Sequence, residues 1–227
     1  MSVKRENGLL NLLLNIVLPV LILTKFSTPE RLGPVNGLIL AVSIPLLYGL
    51  YDLLVRHKKN FISVVGLVSV LLTGGIGLVR LPVAWVAIKE AAVPLLIGLV
   101  VLFSVKTRYP LFKQILYRRE LLDIDKIEDH LAQNDKTDAF HAILRRANVF
   151  LACSFFFSAV MNFVVARVMV HSPAGSEAFN VEIGKMTAIS YPVIALPSTI
   201  LMMIILFYVL RSVRRYTGLT LEEIMAH

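Results

Sequence analysis

Six runs of apolar residues constrain this chain more than any other feature of its sequence. They cover about 9–24, 34–55, 61–79, 82–105, 147–170 and 192–210. Each is close to the roughly 20 residues that an α-helix needs to cross a bilayer. Hydrophobic residues make up 57% of the chain, against about 45–50% in soluble domains. The sequence therefore predicts an all-α fold, a polytopic membrane bundle of six transmembrane helices.

Basic residues lie mainly on one side of this predicted bundle. With a cytoplasmic N-terminus, 17 of the 23 Lys and Arg residues fall in cytoplasmic segments, as the positive-inside rule requires. Residues 1–105 then hold transmembrane helices 1–4, and residues 106–146 form a cytoplasmic amphipathic and helical segment. Residues 147–227 hold helices 5 and 6 with a cytoplasmic C-terminal tail. We therefore expect a multi-pass protein with both termini in the cytoplasm.

A shift of 49 residues aligns two parts of the chain. Ile44–Leu50 then falls on Val93–Leu99, with a shared Pro-Leu-Leu and Gly-Leu, and Arg31-Leu32 falls on Arg80-Leu81. The match favours a parallel repeat of a two-helix hairpin, in which spans 1 and 2 correspond to spans 3 and 4. Leucine-rich spans also resemble one another by chance, so the sequence leaves both explanations open.

A charged pair, Lys89-Glu90, lies near the start of the fourth run. Charged residues in membrane spans are costly and usually functional. One interpretation is an anchor at the interface beside Trp85, and the other is an inward-facing pair that binds a headgroup, an ion or a partner helix. Asn162 and Arg167 are predicted to lie in the same outer half of the bilayer. We therefore expect a polar site near the outer ends of spans 3, 4 and 5, formed by Lys89, Glu90, Asn162 and Arg167.

Three glycines, Gly74, Gly75 and Gly77, close the third run. Small residues let transmembrane helices approach closely, which favours a packing role. Alternatively, the glycines let the helix unwind near its end, so that its carbonyl groups line a polar site.

The sequence contains no recognisable catalytic motif, and we expect a non-enzymatic protein without a cofactor or a metal site. The net charge is +8. Basic residues flank the apolar runs instead of forming a groove with aromatic residues, so we expect membrane lipids and not nucleic acid as partners.

Several short motifs occur in a fixed order. They are a span ending in Gly74-Gly75, an outer loop with Trp85, then Lys89, Gly98, Tyr109-Pro110-Leu111, Asn162 and Phe179-Asn180. This order resembles the bacterial intracellular septation protein A family of inner-membrane proteins, most clearly from residue 56 to 117. The chain differs from that family by added residues between Arg118 and Arg146. The resemblance implies a location in the bacterial inner membrane, with no catalytic residues to transfer.

Two functions are therefore predicted. The resemblance implies a role in cell-envelope maintenance, septation or elongation, through contacts with lipids, with envelope or division proteins or with a second copy of the chain. The alternative is a small transporter or lipid-translocating protein, which the repeat, the polar site and the prolines inside the spans favour. The two differ in whether the polar side chains converge on a water-accessible cavity or only on helix–helix contacts.

Overall fold

The computed structural model describes residues 12–54, 61–107 and 122–225. Residues 108–121, in the first part of the predicted cytoplasmic segment, lie outside the described residues. Within them, the named elements are all helical, and the one strand-like contact is an isolated bridge between Leu122 and Met225. Four helices are long and apolar enough to cross a membrane, namely Gly33–Tyr51, Ala84–Ser104, Thr137–Met169 and Glu177–Thr217. The all-α class is confirmed, whereas the six spans and the hairpin repeat stay predictions.

The helices of the described residues are numbered in chain order. They are α1 (Leu13–Phe26), α2 (Gly33–Leu54), α3 (Phe61–Leu78), α4 (Ala84–Ser104), α5 (Ile124–Gln133), α6 (Thr137–Met169), α7 (Glu177–Ser190), α8 (Leu196–Thr217) and α9 (Leu221–Ile224). A π-helical segment, Tyr191–Ala195, joins α7 to α8.

Two helices extend beyond the predicted boundaries. The fifth span was expected from about residue 147, but α6 begins ten residues earlier at Thr137. The segment between the fifth and sixth apolar runs, residues 171–191, is helical from Glu177 onward. The Ser176 hydroxyl accepts a hydrogen bond from the Phe179 N–H at 3.1 Å, and a serine cap of this kind satisfies one of the free N–H groups at a helix start. The Ser176 cap thus marks the start of α7, a helix that hydrophobicity alone does not predict.

Proline interrupts α1 but leaves α2 and α4 continuous. Pro19 lies in the short α-helical part of α1, between the π-helical segments Leu13–Val17 and Ile22–Phe26. Pro45 and Pro94 lie inside regular α-helices. Proline removes one helix hydrogen bond, and π-helical turns are one way in which a helix accommodates a local disruption.

The chain divides into two compact units. Unit 1 comprises residues 1–93 and 160–195, and unit 2 comprises residues 94–159 and 196–227. The core of unit 1 includes Leu38, Val86, Phe179 and Ile183, all at most 2% exposed. Large apolar side chains also cover much of the outer surface, which suits a protein surrounded by lipid.

In unit 2, helix α5 and the start of α6 pack against the C-terminal helices α8 and α9. Phe140, Leu131 and Ile224 are buried together in its core. The Asn134 side chain donates a hydrogen bond to the Tyr216 carbonyl at 3.0 Å. Asn148, which is fully buried, donates to the Val101 carbonyl at 2.6 Å. The Asn134 bond ties the described part of the predicted cytoplasmic segment to the end of α8, and the Asn148 bond ties α6 to α4.

Two of the three glycines near the end of α3, Gly74 and Gly77, are packing residues in the structure. A Cβ on Gly74 would lie 3.1 Å from Val42 of α2, and one on Gly77 would overlap Leu38 and lie 3.2 Å from Phe179. The helix stays α-helical through Leu78, so it does not unwind at these positions. Close approach of α3 to α2 and α7 explains why these positions lack a side chain.

We expect Gly77→Ala to destabilise the protein by about 1–3 kcal/mol, because Leu38 and Phe179 are fully buried and have little room to move. Gly75→Ala is the matched control, since a Cβ at Gly75 meets nothing within 4 Å. Alanine is the better helix former by about 1 kcal/mol, so this control is expected to be neutral or stabilising. Denaturant titration in mixed micelles measures both free energies of unfolding. Equal effects of the two substitutions would contradict the packing role.

The capping box of α9 gives a pH-dependent prediction. The Glu223 carboxylate accepts hydrogen bonds from the N–H and hydroxyl of Thr220, at 2.8 and 2.9 Å, and lies 3.9 Å from Lys126. These interactions, the backbone hydrogen bond first, hold the pKa of Glu223 below its ordinary value of 4.5. The cap is therefore fully formed above pH 4.5 and is lost as the pH falls through the lowered pKa.

Carbon-13 NMR titration of Glu223 measures this effect. We expect Thr220→Ala to raise the pKa, because the hydroxyl donor is lost, and Thr220→Ser to keep it low. An unchanged pKa in Thr220→Ala would show that the hydroxyl plays no part.

Candidate functional site

The candidate site is centred on Lys89, a buried lysine in an apolar helix of unit 1. Lys89 is the sixth residue of α4 and is only 8% exposed. At 1.5 Å per residue it lies roughly 8 Å inside the helix. A charged side chain in the middle of a membrane helix costs about 2.5–3.5 kcal/mol on insertion scales. Such a cost calls for compensating partners.

The first partner is the neighbouring carboxylate. The Lys89 Nζ lies 2.6 Å from Glu90 Oε1, and the two side chains are 7% and 26% exposed. Successive residues point about 100° apart on a helix, so a short side chain could not make this contact. The four-carbon stem of lysine allows the ammonium group to bend back to its neighbour.

Two hydroxyl groups of α3 complete the surroundings of the ammonium group. Lys89 Nζ donates to Thr73 Oγ1 at 2.7 Å and to Ser69 Oγ at 3.4 Å. Ser69 and Thr73 are four residues apart and therefore share a face of α3. A lysine ammonium has three donors, and here it meets three oxygen acceptors. The charge is buried but well satisfied.

Thr73 connects the ammonium group to the helix backbone. Its hydroxyl donates to the Ser69 carbonyl at 3.0 Å. Because that bond uses the hydroxyl proton, a lone pair of the same oxygen is left to accept from Lys89. Thr73 lies five residues, or roughly 8 Å, before the end of α3. The polar contact thus holds α3 and α4 together well inside both helices.

The pair opens on a cavity of about 200 Å³ within unit 1. Residues of α1, α2, α3, α4 and α7 line it: Asn15, Pro19, Leu23, Leu38, Ala41, Val42, Pro45, Ser69, Thr73, Lys89, Glu90, Ile183 and Thr187. A water molecule occupies about 30 Å³ in the liquid, so this space suits several waters or one small solute. The cavity has an apolar wall and a polar wall that carries both signs of charge.

Two prolines border this cavity, one in the interrupted helix α1 and one in the continuous helix α2. Pro19 and Pro45 both line it, together with the residues four positions earlier, Asn15 and Ala41. Proline has no N–H to donate to the carbonyl four residues before it. Asn15 also belongs to a π-helical segment, and such segments are frequent at functional sites.

Helix α7, which supplies Ile183 and Thr187 to the cavity, is anchored by hydrogen bonds of the buried Asn180 and the half-buried Glu182. The Asn180 amide donates to the Pro34 carbonyl at 2.7 Å and to Ser27 Oγ at 3.3 Å. Glu182 accepts from the N–H groups of His171 and Ser172, at 3.0 and 2.9 Å. These bonds fix the position of α7 relative to the start of α2 and the end of α6.

The predicted polar cluster is only partly brought together. Lys89 and Glu90 form its centre, but Arg167 is exposed and Asn162 is half-buried, and neither lines the cavity. Four polar residues line the cavity but were not predicted as site residues from the sequence: Asn15, Ser69, Thr73 and Thr187. Ser69 and Thr73 could have been identified from the sequence, because two hydroxyl residues four positions apart share one face of an otherwise apolar run.

The donor set does not suit a metal ion. Glu90 is the one carboxylate among the residues that line the cavity, and it is already paired with Lys89. Across residues 12–54, 61–107 and 122–225, no group of three or more His, Cys, Asp and Glu side chains could hold a metal.

A scan against protein-family models, a search of curated proteins and a search of solved structures each find no match to this chain. The resemblance to the septation protein A family therefore stays a prediction.

We expect Thr73→Val to lower the free energy of unfolding by about 1–2 kcal/mol, because the ammonium group of Lys89 loses one of its three acceptors. Thr24→Val is the matched control: the Thr24 hydroxyl makes the same bond to a carbonyl four residues earlier, at 2.7 Å. Its loss is expected to cost less than about 0.5 kcal/mol. Equal losses, measured by denaturant titration in micelles, would show that Thr73 does not stabilise Lys89.

Proposed function

We propose that this protein is a membrane carrier that binds a small polar solute in the cavity beside Lys89 and Glu90. One observation carries the proposal: the buried ion pair lines a cavity and is not closed inside a helix–helix contact. Polar groups at membrane depth mark substrate pathways. An interrupted helix beside the binding site, as α1 is here, also occurs in secondary transporters.

The charge of the cavity favours a solute without net charge. Lys89 and Glu90 neutralise each other, so an ion of either sign would add an uncompensated charge in surroundings of low dielectric constant. A zwitterion, or a neutral molecule rich in hydroxyl groups, brings no such penalty. Its polar groups can replace water at Ser69, Thr73 and the ion pair.

The size of the cavity favours a solute over a lipid. About 200 Å³ is below the roughly 300–1,000 Å³ of sites for drug-sized ligands. We therefore prefer solute transport to lipid translocation. The pairing of the one ammonium with the one carboxylate suits binding, and we propose no enzymatic activity.

We further propose a multi-pass location in the bacterial inner membrane, with six spans and both termini in the cytoplasm. The distribution of Lys and Arg along the sequence supports this orientation.

A second proposal is a role in envelope maintenance, septation or elongation through membrane partners. The sequence resemblance supports it, and its clearest part, residues 56–117, contains Ser69, Thr73 and the Lys89-Glu90 pair. A carrier of an envelope precursor would unite the two proposals.

Flux into proteoliposomes tests the carrier function with a panel of small zwitterionic, neutral, cationic and anionic solutes. We expect uptake of a zwitterionic or neutral solute, and a loss of at least about tenfold in Lys89→Met and in Glu90→Gln, because each leaves one charge of the ion pair uncompensated in the cavity. Lys185→Met is the matched control, since Lys185 is exposed on α7 and does not line the cavity.

Absence of uptake for the whole panel, or an equal loss in Lys185→Met, would contradict the carrier function. If Lys89→Met also restored normal elongation and division to cells that lack the protein, an envelope role independent of the cavity would be favoured.

A further inference from the structure

The C-terminal end of α8 in unit 2 carries three arginines on one exposed side. Arg211, Arg214 and Arg215 follow the spacing of three and four residues that places side chains on one face of a helix. The buried face of the same helix holds Val209 and Val213, both fully buried. The three guanidinium groups therefore lie on the side of α8 away from the core of unit 2.

The chain turns back directly after these arginines. Gly218 has a φ of +76°, a conformation that glycine adopts without strain. Its N–H donates to the Arg214 carbonyl at 2.9 Å, as in a glycine-terminated helix. Leu219 is only 7% exposed, and burial of its side chain brings the start of α9 beside the end of α8.

The turn leaves an open groove of about 410 Å³. Its lining consists of Phe207, Leu210, Arg211, Arg214, Arg215, Gly218, Leu219, Thr220 and Leu221, with no acidic residue. Phe207 and Leu221 are 66% and 45% exposed. The groove thus combines three positive charges with exposed apolar side chains.

The arginines have no partner in the part of the chain that the structure describes. Within residues 12–54, 61–107 and 122–225, none of the three guanidinium groups makes a hydrogen bond or an ion pair. Positive charge in a last turn complements the helix dipole. Interaction with the helix dipole alone does not explain why these arginines line a groove beside an exposed Phe207.

We infer that this groove binds the headgroup of an anionic phospholipid. Arginine guanidinium groups bind phosphate oxygens through paired hydrogen bonds. Phe207 lies four residues, or roughly 6 Å, before Arg211 toward the apolar part of the helix. A phospholipid places its phosphate and its acyl chains in the same order. Basic pockets at the ends of membrane helices bind such headgroups.

Three arginines exceed what one phosphodiester needs. The groove therefore favours a lipid with two phosphates, such as diphosphatidylglycerol, over a lipid with one. Free phosphate matches the arginines but leaves Phe207 and Leu221 uncovered.

Binding of diphosphatidylglycerol to the full-length protein in micelles, measured by native mass spectrometry, tests this inference. We expect the affinity to fall at least about tenfold in Arg214→Gln/Arg215→Gln. The matched control is Arg145→Gln/Arg146→Gln, which removes the same charge from exposed arginines of α6 outside the groove. We expect this control to change the affinity by less than about twofold.

A variant with lysine at positions 211, 214 and 215 keeps the charge at the helix end and so retains the fold. We expect it to bind the lipid several-fold more weakly, since lysine cannot form the paired bonds. Equal weakening in the α6 control, or unchanged affinity in the lysine variant, would overturn the inference. Displacement of the lipid by equimolar inorganic phosphate would instead identify a soluble anion as the ligand and would overturn the lipid.

Discussion

The buried ammonium group of Lys89 is the constraint on which the arrangement of unit 1 depends. Because this group is largely removed from bulk water, an unpaired donor there would be costly, and its donors need acceptors inside the protein. Glu90 provides one, and Thr73 and Ser69 of the neighbouring helix provide the others. Because those hydroxyls lie well inside α3, the contact fixes both the distance and the register between α3 and α4.

Glycines and prolines lie at different places around the same cavity. Gly74 and Gly77 let α3 approach α2 and α7 closely, which brings the walls of the cavity together. Pro19 and Pro45 lie in two other helices of the wall, and the helix of Pro19 is interrupted there by π-helical segments. The two glycines allow close helix packing, whereas the two prolines line the cavity.

Units 1 and 2 treat positive charge in opposite ways. Lys89 is buried and matched by a carboxylate, so its cavity is electrically neutral. The arginines at the end of α8 are exposed and lie in a groove without an acidic lining residue. A neutral cavity suits a solute without net charge, whereas an unmatched basic groove suits an anion. The two sites therefore call for different ligands.

The sequence by itself determined the helical class and identified Lys89 and Glu90 as the central pair, because apolar length and an expensive charge are both visible along the chain. Only the tertiary structure decided that Ser69 and Thr73 face the pair while Arg167 stays exposed. Helical spacing shows which residues share a face of one helix. It does not show which faces meet when a helix is apolar all round. That choice depends on contacts between residues far apart in the chain.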